Sequence, residues 1–284
     1  MKLNIAIQKK GRMSQDSINL LKSCGLKFNN SGRGLIAQSS GFPANIYYLR
    51  DDDIPDYVED GIADVGIVGL NVVDEGQNDV RVSKRLGFAQ CRMSIAIPRD
   101  QDYRGVQDLD GKEIATSYPV ILKKYLDKHE VNARIHTISG SVEIAPGIGL
   151  TDGICDIVST GSTLLSNGLK EVEKIMESEA VLISHKDMPA EKKELLQKLI
   201  FRIKAVHKAS ENKYILLNAP NDKIDEIIKI LPGMKSPSIL PLADKNWSSI
   251  HSVVGEEDFW EVIDQLKECG AESLLVVPIE KMIL

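Results

Sequence analysis

Leu3, Ile5 and Ile7 alternate with Asn4, Ala6 and Gln8, a two-residue period that predicts an opening strand. The period then changes. Ile18, Leu21 and Cys24 follow at helical spacing, with Ser14 as the predicted N-cap and Gly25 as the stop. Ile46-Tyr47-Tyr48-Leu49 predicts a second strand, followed by a short helix capped by Asp52 or Asp53, with Pro55 near its first turn and Gly61 closing it. Val65-Gly66-Ile67-Val68 predicts a buried strand that runs through Gly69 into a helix ending near Glu75. This alternation implies an α/β layer around a mainly parallel sheet.

A new unit begins near Arg92. Strands are predicted at 94–98, 113–116, 133–137 and 156–158, with a helix at 120–128. The strand at 180–184 returns to the first unit. A long helix starts at about Pro189 and carries Leu195, Leu199, Ile203 and Val206 on one face. The last part places strands at 213–218, 238–242, 250–254 and 273–277. Its helices are at 222–231, stopped by Pro232-Gly233, and at 256–268, ended by Gly270. That order, βαββαβ, is that of a ferredoxin-like sandwich. Three units result: 1–91 with 180–208, then 92–179, and finally 209–284.

Composition narrows the function. With 43% apolar and 27% charged positions in 284 residues, the chain can bury real cores and need not be disordered. A net charge of −6, with 5 Phe, 7 Tyr and 2 Trp, argues against a nucleic-acid partner. No run approaches the roughly 20 apolar residues of a membrane helix, and the N-terminus lacks the apolar region of a signal peptide. Cys24, Cys91, Cys155 and Cys269 lie far apart without a C-x-x-C pair, which suits free thiols in the cytoplasm rather than a zinc site. Cys155, in an apolar run, reads as a buried small residue, and the five histidines show neither triad order nor metal spacing.

Chemistry concentrates in Asp156-Ile157-Val158-Ser159-Thr160-Gly161-Ser162-Thr163-Leu164. A strand-to-helix turn offers unpaired backbone N–H groups, a glycine lets it curl, and four hydroxyls add donors. Two readings are open: an ordinary N-cap, or a phosphate cradle built at a helix N-terminus. One Ser or Thr suffices for a cap; four around Gly161 exceed that need. Glu143, in a Gly- and Pro-flanked turn, and Asp156 are either solvated acids or acceptors for the vicinal hydroxyls of a phosphorylated sugar. Lys9 and Arg12 follow the first strand, Arg33 lies between two glycines, and Arg50 ends the second strand. At loop ends these cations are either solvated surface charges or contacts for an anionic substrate. Asp51, Asp52 and Asp53 read as capping acids more readily than as metal ligands, although one could bridge to Mg²⁺.

These residues, taken together, closely resemble the long form of the ATP phosphoribosyltransferase family, which catalyses the first step of histidine biosynthesis. The similarity covers essentially the whole length. It rests on Ile7-Gln8-Lys9-Lys10-Gly11-Arg12, Arg50-Asp51-Asp52-Asp53-Ile54-Pro55, Ala115-Thr116-Ser117-Tyr118-Pro119 and Gly140-Ser141-Val142-Glu143-Ile144-Ala145-Pro146. To these add the 156–164 run with Asn167-Gly168-Leu169, and Leu231-Pro232-Gly233 with Ser236-Pro237-Ser238. Thr151 stands where the family's usual run has Ala.

The resemblance implies a two-lobed catalytic part like a periplasmic binding protein, with lobe I at 1–91 and 180–208 and lobe II at 92–179. It also implies an ACT-like regulatory domain at 209–284 that binds histidine as inhibitor. The substrates implied are ATP and phosphoribosyl pyrophosphate with Mg²⁺, and the assembly a homo-oligomer, dimer to hexamer. Carried over residue by residue, Ser159, Thr160, Gly161, Ser162 and Thr163 hold the 5-phosphate, and Asp156 and Glu143 face the ribose. Arg33 and Arg50 contact the pyrophosphate or ATP phosphates, with Lys9 and Arg12 next. Mg²⁺ arrives through substrate phosphates, without a dedicated protein ligand. Histidine is expected near Asn218, Met234, Ser238 and Ser273. The competing reading is a non-catalytic binding protein of the same two-lobed shape. Against it stand the missing export signal, the missing DNA-binding helix pair and the hydroxyl-rich turn.

Overall fold

The strand Leu3–Gln8 buries Leu3, Ile5 and Ile7 completely, as its alternation predicts. The computed structural model describes residues 1–29, 34–231, 233 and 236–283. Leu3–Gln8 pairs in parallel with Ala44–Leu49 on one side and Val65–Gly69 on the other. Antiparallel strands flank this centre: Ile36–Gln38 beyond Ala44–Leu49, and Ala180–Ser184 followed by Arg81–Arg85 beyond Val65–Gly69. Val65–Gly69 is buried at every position. Gly66 is required there, because a Cβ would stand 2.5 Å from Ile54 Cγ2 of the covering helix Ile54–Glu59. Two local expectations shift. The first helix, Arg12–Ser23, starts behind Gly11 (φ 105°), and Ser14 is buried within its first turn instead of capping it. Asp53 occupies the cap position of Ile54–Glu59, but its side chain makes no capping bond.

A second sheet has the order Leu169–Ser178, Cys91–Pro98, Gly153–Val158, Glu113–Thr116, Arg134–Thr137. Helix Pro119–Lys128 packs Ile121, Leu122 and Leu126 against Met93, Ile95 and Ile114. The strand Leu169–Ser178 has no counterpart among the predicted elements. Its apolar positions Val172, Ile175 and Met176 reach the core at helix-like spacing, three residues and then one, because the pairing with Cys91–Pro98 shifts register twice, between Glu171 and Glu173 and between Lys174 and Met176. Each shift adds a residue and turns a two-residue period into three.

The chain crosses between the two sheets twice, after Arg81–Arg85 and after Leu169–Ser178. The crossings run side by side: Leu86 N donates to Ala180 O and Ala180 N to Phe88 O, each at 2.9 Å. Glu179 ties them further, accepting from Arg85 Nη1 at 2.9 Å and Gly87 N at 2.8 Å.

Both sheets belong to one compact unit, Met1–Leu196; Gln197–Leu284 forms the second. In the second, Ser238–Pro241, Trp247–Gly255, Asn212–Pro220 and Glu272–Pro278 pair antiparallel in that order. Helices Ile224–Ile230 and Glu256–Glu268 cover one face, where Ile227, Phe259 and Leu266 meet Ile215, Leu217, Ile250 and Val254. This is the βαββαβ order read from the sequence. The first of these helices starts at Ile224 because Asn221–Lys223 forms a tighter 3₁₀ turn. Among the described residues no helix is long and apolar enough to cross a membrane.

Candidate functional site

The strand Gly153–Val158 delivers Ser159, Thr160 and Gly161 to the start of helix Ser162–Ser166. Gly161 holds φ 81°, the left-handed region glycine enters without steric cost. It stands at the cap position, so no cap side chain closes the helix. Thr160 Oγ1 and Ser162 Oγ share a hydrogen bond of 3.0 Å, and Ser162 N reaches Thr160 Oγ1 at 3.4 Å. Ser159, Thr160, Ser162 and Thr163 are exposed. Among the described residues no hydrogen bond engages the amides of Thr160 and Gly161. The turn therefore presents donors beyond what the short helix consumes.

The turn is tied from the sheet side. Arg92 Nη1 donates to Ser159 O at 3.0 Å, while Nε and Nη2 grip the two Glu171 oxygens at 2.6 Å each. Ser94 Oγ adds a bond of 2.7 Å to Glu171. The Arg92 guanidinium holds the Glu171 carboxyl below its usual range.

Two carboxylates from different segments, Asp156 and Glu143, come within electrostatic reach of each other, Asp156 on the strand that leads into this turn. Burial raises the Asp156 carboxyl above its ordinary range, and the Glu143 charge raises it further, against a bond of 2.7 Å from Ile157 N. Glu143 sits in the turn Val142–Ile144. Tyr118, at the cap position of helix Pro119–Lys128, was not singled out as a site residue. Its hydroxyl is held protonated, first by burial, then by the charges of Asp156, Asp51 and Asp52. Its sequence signal is its place in the run Ala115-Thr116-Ser117-Tyr118-Pro119, between a strand end and a proline.

Across the cleft, Arg50, Asp51 and Asp52 follow the carboxyl end of Ala44–Leu49. Arg50 lies 3.9 Å from Asp52 and is well exposed. Burial, then Asp51, raises the Asp52 carboxyl. Arg50 and Asp52 share a cleft of about 480 Å³ with Tyr118 and Ser117. Lys9 is exposed beside Arg50, its amide donating to Leu49 O at 2.8 Å. Arg12 opens the first helix, but its side chain and Arg33 lie outside the described residues. Cys155 is fully buried, its thiol pushed up to about 12 by that burial, as suits a small packing residue.

Among the described residues no three His, Cys, Asp or Glu side chains gather as a metal cage. Asp51, Asp52 and Asp156, whose charges all reach Tyr118, are hard oxygen donors. They suit completing the shell of a divalent ion that already carries phosphate oxygens.

In the second unit, Asn218 lies on a middle strand while Ser238 and Ser273 sit on the two edge strands. Three strand spacings, roughly 14 Å, separate the edges. Met234 lies outside the described residues.

A family pattern described as ATP phosphoribosyltransferase matches residues 50–205, and one described as the HisG C-terminal domain matches 209–281. An ATP phosphoribosyltransferase of Phocaeicola vulgatus is 55% identical over 282 residues, 99% of this chain and 100% of that protein. An ATP phosphoribosyl transferase (HisG:HisZ) complex from Thermotoga maritima superposes with a TM-score of 0.60 at 28% identity, covering 71% of this chain and 98% of that one. A histidine kinase sensor domain with similarity to periplasmic binding proteins covers 73% of this chain and 90% of its own at TM-score 0.50 and 11% identity, a likeness of fold alone.

Proposed function

The chain belongs to the ATP phosphoribosyltransferase family of histidine biosynthesis, in the long form with a C-terminal domain, and from that membership we propose how its residues divide the reaction. The phosphoribosyl group of phosphoribosyl pyrophosphate passes to N1 of the adenine of ATP, giving phosphoribosyl-ATP and pyrophosphate. The observation that carries this reading is the turn 159–163. Its unspent amides and exposed hydroxyls stand at the end of the strand that also bears Asp156.

The 5-phosphate sits in that turn on Ser159, Thr160, Gly161, Ser162 and Thr163, where backbone dipoles and hydroxyls favour a dianion. Asp156 and Glu143 accept from the ribose hydroxyls and fix the ring. The adenine nitrogen is a weak nucleophile because its lone pair is conjugated, so in-line placement at the anomeric carbon supplies much of the rate. Positive charge grows on the sugar as pyrophosphate departs, and Arg50, with Lys9, Arg12 and Arg33, offsets the charge of the leaving anion. Mg²⁺, when bound on the substrate phosphates and completed by Asp51 or Asp52, supplies further screening of that anion. No protein side chain forms a covalent bond to substrate.

The proposed division is lobe I at 1–91 and 180–208, lobe II at 92–179 and a regulatory domain at 209–284. Histidine binds between copies of the regulatory domain, near Asn218, Met234, Ser238 and Ser273, and favours assembly from dimer to hexamer. The open face of the terminal sheet supports association, since Leu240, Leu275 and Val277 are exposed there. The enzyme works in the cytoplasm, a reading that the four free cysteines and the use of ATP support.

Mixing the protein with ATP, phosphoribosyl pyrophosphate and Mg²⁺ is expected to give the absorbance rise of phosphoribosyl-ATP. Ligand binding without turnover contradicts the proposal. Removing residues from Ser210 onward is expected to abolish inhibition by histidine, with the oligomeric state measured alongside. Inhibition retained in that protein contradicts the regulatory assignment.

A further inference from the structure

The hydroxyls and amides of the 159–163 turn are only as useful as the orientation of its first peptide, and that orientation is set by a residue outside the turn. The carbonyl of Ser159 and the N–H of Thr160 belong to one trans peptide and point in opposite directions. Arg92 Nη1 pulls the Ser159 carbonyl toward the sheet at 3.0 Å, so the Thr160 N–H is turned away from the sheet. That amide engages no acceptor among the described residues.

Arg92 is itself fixed. Both Glu171 oxygens hold it at 2.6 Å, and Ser94 Oγ holds one of those oxygens at 2.7 Å. Nε and Nη2 are used on the carboxylate, which leaves Nη1 aimed at Ser159 by the planarity of the guanidinium. Arg92 and Ser159 also border a cavity of about 360 Å³ with Cys91, Lys174 and Glu177, so the contact between them lies beside open space. The register shift between Glu171 and Glu173 falls at the anchoring residue, a place where a bulge re-aims a side chain.

We propose that Arg92 is a positioning residue for the phosphate-binding turn, locked by Glu171 and acting through the Ser159 carbonyl to point the Thr160 amide at the 5-phosphate of phosphoribosyl pyrophosphate. This rests on the assignment of the turn as the phosphate site. Glu171 is part of the same device although it touches neither the turn nor the substrate.

The test is a steady-state comparison of Arg92→Gln, Glu171→Gln and Ser162→Asp with the unaltered enzyme, varying phosphoribosyl pyrophosphate and ATP separately. Losing one charge-assisted hydrogen bond corresponds to about tenfold. Both Arg92→Gln and Glu171→Gln are expected to raise the KM for phosphoribosyl pyrophosphate by about that factor while leaving the KM for ATP within about twofold.

Glu171→Gln separates positioning from charge. It leaves the Arg92 cation in place and removes a neighbouring anion, so a purely electrostatic role predicts a lower KM for the phosphorylated sugar. A lower or unchanged KM in Glu171→Gln overturns the proposal. So does an equal loss toward both substrates together with a lowered Tm, which marks a merely structural role. Ser162→Asp places a negative charge in the turn itself. If it raises the KM sharply while the other two variants do not, the phosphate site stands and the positioning role falls. If Ser162→Asp also leaves the KM unchanged, the phosphate site falls with it.

Discussion

Glu75 caps a helix to which it does not belong. Its Oε1 accepts from Val120 N at 2.9 Å and its Oε2 from Ile121 N at 3.0 Å, at the start of Pro119–Lys128. Pro119 has no N–H, Tyr118 offers no capping side chain, and Leu122 N is satisfied by Tyr118 O, so the carboxylate completes this helix end. Glu75 comes from helix Leu70–Gly76 on the first sheet, and the capped helix lies on the second. One side chain therefore joins the two sheets of the unit Met1–Leu196, in the cleft that Arg50 and Tyr118 also line.

Replacing Glu75 by Ala is expected to cost about 1 kcal/mol, the usual value of a helix cap. Amide exchange at Val120 and Ile121 should accelerate with it, and Glu75→Gln, which keeps one acceptor, should fall between. Unchanged exchange at both amides contradicts the capping role.

Gly161→Ala isolates the backbone of the turn. A Cβ there would meet only Val158 Cγ1 at 3.9 Å, an ordinary contact, so the cost comes from φ 81° alone. About 1 kcal/mol is expected from denaturant unfolding, together with a higher KM for phosphoribosyl pyrophosphate. Unaltered kinetics with the loss of stability contradict a binding role for the turn.

Asp156→Asn tests the raised carboxyl. Burial, with Glu143 adding, makes the folded protein hold this proton more tightly than the unfolded chain. That contribution to stability is fully present below the ordinary value of 3.8 and is lost as pH rises through the higher folded value. The asparagine variant cannot ionise, and its Oδ1 can still accept from Ile157 N. It should match the parent in acid and exceed its stability at neutral pH, by urea midpoints, while binding phosphoribosyl pyrophosphate more weakly. A loss of stability at neutral pH contradicts this account of the site's electrostatics.

Much of this was legible because period and chemistry agreed. Leu3–Gln8, Glu113–Thr116, Ala180–Ser184 and Glu256–Glu268 each follow one clean pattern, and Ser159–Thr163 departs from what a cap needs. Leu169–Ser178 was illegible because its two register shifts give inward residues helix-like spacing. Glu75 was illegible for another reason. A carboxylate in a helix has no mark showing that its partners lie 45 and 46 residues away. Tyr118 gains its meaning only when Asp51 and Asp52 from one segment and Asp156 from another, both distant in sequence, converge on it. Ser14 looked like a cap by type, yet Gly11 began the helix earlier through a backbone angle that composition does not show.

The most direct test is a crystal of the protein soaked with phosphoribosyl pyrophosphate. The 5-phosphate is expected within hydrogen-bond distance of the Thr160 and Gly161 amides and the hydroxyls around them, with the ribose against Asp156 and Glu143. A sugar phosphate bound elsewhere, with the 159–163 donors facing only water, contradicts the account.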